Sequence, residues 1–111
     1  MTAAETPVLD TLADMTAISA ERCALPPREL MLARIATLIA VDAPPASYLA
    51  NAGAAADSGV TDDDIQAVMI GIAPVVGTAR IVAAAGNIFR ALGFAIMVAE
   101  AEMAEAANTG Q

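Results

Sequence analysis

The stretch PPASYLANAGAAADSGVTDDDIQAVMIGIAPVVGTAR, residues 44–80, carries the signals that decide the fold. Its second half predicts a helix that begins after Thr61, whose hydroxyl can accept a hydrogen bond from the amide of Asp64. Three consecutive acids at positions 62–64 place negative charge at the positive end of that helix dipole. We expect Pro74 to end this helix, because a proline in a helix interior removes a backbone hydrogen bond.

Apolar residues on both sides of the cap repeat at helical spacing. Val60 and Ile65 flank the cap and can form a hydrophobic staple. The same face continues with Val68, Met69 and Ile72. These residues therefore predict the inward side of the helix.

The first half of the stretch predicts another helix, from Pro45 through Ala56, closed by Gly59. Its inward side is expected to carry Tyr48, Leu49, Ala52 and Ala55/Ala56. Two helices joined by a short glycine-containing loop form an αα-hairpin.

Three further helices are expected around this hairpin. The first is capped by Thr6-Pro7 and runs to about Ser19, and Arg28–Val41 is apolar on nearly every side, as in a buried central helix. The segment 81–99 carries a helical stripe, and residues 108–111 should be frayed. The inward residues expected on the first helix are Val8, Leu12, Met15 and Ile18/Ser19. The stripe expected on the last is Ile81, Ala85, Ile88, Phe89, Leu92 and Ile96.

The sequence as a whole predicts one all-α domain, residues 1–111, built as a bundle of about five to six helices. Its hydrophobic content is 58% and its mean hydropathy +0.62, both high for 111 residues. A monomer of this size hides only about two-thirds of its unfolded surface. The surplus apolar surface predicts a homo-oligomer.

Charge and composition disfavour several other classes of protein. The net charge is −8, and all five basic residues are arginines, which argues against nucleic-acid binding. The segment 81–99 is long and apolar, but Asn87 and Arg90 near its middle disfavour a membrane span. The first fifteen residues lack a basic n-region, so we expect a cytoplasmic protein. The abundant alanine and the absence of lysine suggest a bacterial source.

The sequence also resembles a known family. Asn51, the run Gly59-Val60-Thr61 with its following acids and Ile65, and residues 75–80 (VVGTAR) are similar to the carboxymuconolactone decarboxylase family, which includes the AhpD-type alkylhydroperoxidases. The family pattern has the form H-x7-G-[VLM]-[ST]-x-x-E-[IL], followed by Y-A-G-x-P. The resemblance covers roughly residues 28–92, and it implies an AhpD-like helical bundle that assembles as a trimer or hexamer.

The residues that perform the family's chemistry are replaced in this chain. The family histidine falls on Asn51, and the two cysteines of the alkylhydroperoxidase branch fall on Pro44 and Ser47. The glutamate of that branch falls on Leu32, and the Tyr and Pro of Y-A-G-x-P fall on Val75 and Ala79. Thiol peroxidase chemistry needs a thiolate and a resolving thiol, and histidine-centred acid–base chemistry needs a histidine. The resemblance therefore indicates a pseudoenzyme with no catalytic, metal or cofactor residue.

Four residues are candidates for lining a small pocket at the family's active-site position: Tyr48, Asn51, Arg80 and Asn87. The last two lie seven residues apart and so share a helix face. Arginine in an apolar helix needs a carboxylate, a carbonyl or a bound anion. Arg34, Arg80 and Arg90 therefore predict either salt bridges, for example to Asp42, Asp57 or a C-terminal glutamate, or a site for a small anionic ligand. The single cysteine, Cys23, is expected to be a small apolar helix residue or, alternatively, a reactive thiol beside Arg22.

Two functional hypotheses follow. The first is a non-catalytic homo-oligomer that acts as a scaffold, a binding module or a small-ligand binder. The second is an enzyme of lyase or decarboxylase type that acts on a small carboxylate or lactone, with Tyr48, Arg80 and an acid such as Asp57 in a remodelled family pocket.

Overall fold

The computed structural model describes residues 6–109 and, within the last helix, leaves the side chains of residues 94–96, 98, 99 and 109 undescribed. The described chain is all-α. It forms five helices: α1 (Pro7–Arg22), α2 (Pro27–Ala40), α3 (Pro45–Asp57), α4 (Asp62–Val76) and α5 (Thr78–Thr109).

The hairpin of α3 and α4 forms as its sequence signals predict. Helix α3 ends in a Schellman motif, in which the amide of Val60 donates to the carbonyl of Ala55 at 3.0 Å and Gly59 adopts a φ of 82°. Helix α4 opens with a capping box. The Thr61 hydroxyl accepts from the Asp64 amide at 3.2 Å, and the Asp64 carboxylate accepts from the Thr61 amide at 2.9 Å.

Helix α2 is the central element, as its continuous apolar character predicts. It packs against α3, α4 and α5. Met31, Ile35 and Ile39 are its buried residues, spaced four apart, and Ile39 is fully enclosed. Around them the core is completed by Ala43, Tyr48, Ala55, Ala84 and Ala91. Because four of these five residues are alanines, the helices approach closely, but they bury few large side chains.

Helix α2 also ends in a Schellman motif, with an aspartate at the position that usually holds glycine. The amide of Ala43 donates to the carbonyl of Leu38 at 3.0 Å, and Asp42 adopts a φ of 57°. This left-handed residue turns the chain into α3 and leaves its carboxylate beside α5. Val41 lies outside the buried helix and is 65% exposed, contrary to its expected inclusion in the core segment.

The prediction of an inward-facing apolar side on α1 is wrong. Val8, Leu12, Met15 and Ile18 are all exposed, and no residue of Pro7–Arg22 is buried. The predicted helix forms and extends three residues beyond Ser19. Its apolar stripe, however, is not part of the hydrophobic core. Periodicity in the sequence shows that a helix has an apolar face, but it does not show whether that face is buried.

Pro74 does not end α4. The helix continues through Val76 and stops at Gly77, which has a φ of 90° and donates its amide to the carbonyl of Ala73 at 2.9 Å. Proline removes one hydrogen bond but leaves the neighbouring ones available, so the helix continues for two more residues.

The stripe expected on α5 divides between two faces. Ile81 and Ile88 pack against the core together with buried Ala84 and Ala91, whereas Phe89 is 77% exposed. Ala85 and Leu92 are also exposed, and the side chain of Ile96 lies outside the described residues. The helix runs through Thr109, past the fraying expected from position 108.

The subunit is elongated. Its radius of gyration is 16.0 Å and its principal extents are 53 × 29 × 25 Å, whereas a compact domain of this length has a radius of gyration of about 13 Å. Helix α5, with 32 residues, accounts for the long axis, because its length is about 48 Å. Among the described residues, no helix combines the length and the hydropathy needed to cross a membrane.

Candidate functional site

A cavity of about 260 Å³ lies among α2, α3, α4 and α5. Aliphatic side chains and alanines form most of its wall. The apolar lining residues are Ile35, Leu38, Leu49, Ala52, Ala55, Ala56, Val60, Ile65, Ile88, Ala91 and Leu92, and the polar ones are Tyr48, Asn51 and Asp62. The cavity therefore offers apolar contact over most of its surface and few polar groups.

Tyr48 is the most constrained polar residue of the cavity wall. Only 9% of its surface is exposed, and its hydroxyl oxygen is buried with no hydrogen-bond partner among the described residues. Burial raises the pKa of this phenol, and the nearby Asp42 carboxylate raises it further. Tyr48 is therefore neutral near pH 7.

Asn51 lies one turn after Tyr48 and is half-buried. Its side-chain amide donates to the carbonyl of Ser47, one turn earlier in α3, at 2.9 Å. Asparagine carries no titratable proton. Asn51, onto which the resemblance places the family histidine, therefore lines the cavity but supplies no acid or base.

Arg80 and Asn87 belong to a separate polar cluster where α5 crosses the loop between α2 and α3. Arg80 forms an ion pair with Asp42 at 3.2 Å. Asn87 donates to the carbonyl of Ala43 at 3.2 Å and accepts a hydrogen bond from Arg90 at 2.8 Å. These contacts hold α5 against the turn that starts α3.

The four candidate pocket residues thus occupy two places. Tyr48 and Asn51 line the cavity, whereas Arg80 and Asn87 are not among its lining residues and bind the α2–α3 loop instead. Asp62 lines the cavity but is not among the predicted pocket residues, because three consecutive acids at the start of a helix are typical of first-turn charges. The staple residues Val60 and Ile65 could have indicated this position, since both also line the cavity.

Two further arginines, Arg34 and Arg28, also have partners within the chain. Arg34 donates to the carbonyl of Thr16 and to the hydroxyl of Ser19, both at 3.2 Å. Arg28 forms an ion pair with Asp64 of the capping box. Cys23 directly follows α1, at the start of the loop that leads to Pro27 of α2. Its thiol is free and partly exposed.

A shallower groove of about 420 Å³ separates α1 from α2 and α3. Leu12, Met15 and Thr37 contribute to it, and Leu38 and Asn51 line both this groove and the cavity. Among residues 6–109, no cluster of three or more His, Cys, Asp or Glu is arranged to hold a metal ion.

Comparison with known families agrees with this fold. The sequence pattern of the carboxymuconolactone decarboxylase family matches residues 7–88, which include α1 to α4 and the first part of α5. Comparison with curated proteins and with solved structures gives no significant match. Since the family pattern spans well over half of the chain, this protein belongs to the carboxymuconolactone decarboxylase family.

Proposed function

We propose that this protein is a non-catalytic, homo-oligomeric member of its family that binds a small apolar ligand in the cavity among α2, α3, α4 and α5. The observation that carries the proposal is the composition of the cavity wall. Asn51 stands at the position of the family histidine, and eleven of the fourteen lining residues are apolar. Such a wall favours binding over proton transfer.

The size of the cavity sets the class of ligand. A volume of about 260 Å³ suits a small molecule of up to about three rings or a short branched chain. Tyr48 lines the cavity, but its hydroxyl oxygen is closed off from solvent and so adds no polar group to the cavity surface. The preferred ligand is therefore a neutral, apolar molecule.

An anionic ligand has less support. The Arg80 guanidinium is in an ion pair with Asp42, and the charged group on the cavity wall is the acid Asp62. A carboxylate in the cavity would meet apolar side chains and a negative charge, both of which raise its free energy.

The alternative, an acid–base enzyme, also has less support. It requires Tyr48, Arg80 and an acid such as Asp57 to converge on one substrate. Arg80 and Asp57 are not among the cavity-lining residues, and Tyr48 keeps its proton near neutral pH because its pKa is raised.

The test is titration with phenylnaphthylamine, a neutral fluorophore, and with its anionic analogue anilinonaphthalene sulfonate. We expect saturable binding of the neutral probe and at least tenfold weaker binding in Ala52→Phe, whose side chain would fill the cavity. Ala54→Phe is the matched control, because Ala54 is exposed on the same helix and is not a lining residue. Equal binding by both variants, or preference for the anionic probe, would contradict the proposal.

A further inference from the structure

One face of α5 carries large apolar residues at seven-residue spacing and is exposed to solvent. Val82, Phe89 and Met103 are 66%, 77% and 71% exposed, and Ile96 occupies the same register. Ala85 and Leu92 follow Val82 and Phe89 by three residues, and both are exposed. Alternating steps of three and four residues are the spacing of a coiled-coil seam. We call the line through 82, 85, 89, 92, 96 and 103 the α5 seam.

The core of the subunit uses a different face of the same helix. Ile81, Ala84, Ile88 and Ala91 pack inward, so the α5 seam lies beside the inward face and is largely left to solvent. Beyond Leu92, every described side chain through position 108 is exposed. The C-terminal half of α5 therefore extends past the part of the bundle that the core residues occupy.

The accessible surface of the chain is larger than that of a compact monomer of the same mass. Its accessible surface is 7698 Å², whereas a compact monomer of 11.2 kDa exposes about 5,700 Å². The excess is about 2,000 Å², which is in the range that obligate homodimers bury. A small ligand cannot cover an area of this size.

The charges along α5 indicate how a second copy would lie on the seam. Arg80 and Arg90 belong to its first half, and Glu100, Glu102 and Glu105 to its second. Antiparallel pairing sets the basic half of one helix against the acidic half of the other. Parallel pairing would place three glutamates beside three glutamates, which is unfavourable.

We propose that the α5 seam is the surface on which two copies of this chain pair, with their α5 helices antiparallel around a two-fold axis near Gly93. Gly93 lies beside the seam, and a methyl group added there would contact no atom of its own subunit. A helix with glycine at this position can be approached closely. Two-fold pairing makes every larger assembly even-numbered, as in a hexamer made of three dimers.

This inference rests on the self-association in the proposed function but not on ligand binding. The first test is the molecular mass of Phe89→Glu by light scattering across a hundredfold range of concentration. We expect at least a tenfold rise in the dissociation constant of the dimer. Ile70→Glu is the matched control, because Ile70 is 76% exposed on α4, away from the seam. Equal mass for Phe89→Glu and the parent would overturn the proposal.

A second variant covers the case in which Phe89→Glu fails to fold. The leucine side chain of Gly93→Leu meets open space in its own subunit, and leucine has a higher helix propensity than glycine, so the variant should fold. In the dimer, the same side chain would force the two α5 helices apart. We expect weaker dimerisation in Gly93→Leu and parent-like dimerisation in Gly53→Leu, which also adds a side chain into open space on a helix. Unchanged dimerisation in Gly93→Leu would contradict the pairing.

Disulfide cross-linking in a Cys23→Ser background tests the direction of pairing. Positions 82 and 103 lie about 32 Å apart along the helix. In antiparallel pairing, neither Val82→Cys nor Met103→Cys should cross-link with itself, whereas a mixture of the two should form a mixed dimer. Self-cross-linking of Val82→Cys would show parallel pairing and would overturn the proposal. Ligand titrations on the same samples report separately on the cavity.

Discussion

At the scale of single residues, the clearest link between sequence and structure is the capping box of α4. The Thr61 hydroxyl and the Asp64 carboxylate each accept a hydrogen bond from the other residue's amide. The Asp64 carboxylate also pairs with Arg28 of α2. One pair of residues therefore starts the helix and anchors it to the central helix.

We expect Thr61→Ala to lower the free energy of unfolding by about 0.5–2 kcal/mol, because first-turn amides of α4 lose their acceptor. Denaturant melts at one fixed protein concentration measure this, since assembly contributes to apparent stability. Thr11→Ala, which removes an exposed hydroxyl that donates to the carbonyl of Pro7 within α1, is the control. A Thr61→Ala protein as stable as the parent would remove the role assigned to the cap.

Asp64 also makes stability depend on pH. The hydrogen bond from the Thr61 amide, with smaller contributions from the Thr61 hydroxyl and Arg28, lowers the pKa of Asp64 below its ordinary value of 3.8. The group therefore contributes stability that is present above the pKa of the unfolded chain and is lost as pH falls through the folded pKa.

We accordingly expect the difference in stability between the parent and Asp64→Asn to be constant between about pH 5 and 7 and to shrink below about pH 4. Urea melts over that range measure it. Asp63→Asn, an adjacent exposed acid outside the capping box, is the control. A difference that grows on acidification would have the wrong sign for this account.

A substitution at Asn51 can test whether the position onto which the resemblance places the family histidine opens on a cavity. Its side chain lines the cavity and the α1 groove and makes one local hydrogen bond. We expect Asn51→His to change the free energy of unfolding by less than about 1 kcal/mol, because the imidazole has room. Ala55→His, at a 7% exposed core position on the same helix, should be strongly destabilising. Similar losses in both would show that position 51 is tightly packed.

At the scale of helices, sequence patterns predicted where the helices begin and end better than they predicted which helix faces are buried. Caps, glycines and prolines placed the ends of α2 and α3 within a residue or two, because those signals act within one turn. The inward face of α1 was mispredicted and that of α5 was right only in part, at Ile81 and Ile88, because an apolar stripe has the same pattern whether it is buried or exposed. Tyr48 and Asn51 were placed in the site by family resemblance. A salt bridge to Asp42 was among those predicted for Arg34, Arg80 and Arg90, and Arg80 forms it. The left-handed conformation of Asp42 has no comparable signal in the sequence.

Helix α1 is held to the bundle mainly by one polar contact. Arg34 donates to the Thr16 carbonyl and the Ser19 hydroxyl, while the apolar side chains of α1 are exposed. We expect Arg34→Ala to speed hydrogen exchange of the α1 amides at least severalfold and to leave α3 and α4 unchanged. Ser19→Ala removes one of the two acceptors and should have a smaller effect. Uniform acceleration across all helices would instead indicate global destabilisation.

At the scale of the whole molecule, the subunit is an elongated bundle with too few large side chains in its core to account for its apolar composition. The buried set contains four alanines among eight residues. Large apolar residues lie instead on α1, the end of α4 and the α5 seam. This distribution supports the proposal that other copies of the chain cover part of its apolar surface.

Leu92 connects the two proposals, because it lines the cavity and also lies on the α5 seam. A side chain shared by two binding equilibria couples them, and that coupling is reciprocal: whatever ligand occupancy does to dimerisation, dimerisation does to ligand affinity by the same factor. We therefore expect the apparent affinity for phenylnaphthylamine to vary with protein concentration in the parent and to lose that dependence in Phe89→Glu. If the affinity is constant at all concentrations, the two sites are energetically independent. If it varies, the fraction of protein that holds ligand depends on the protein concentration itself.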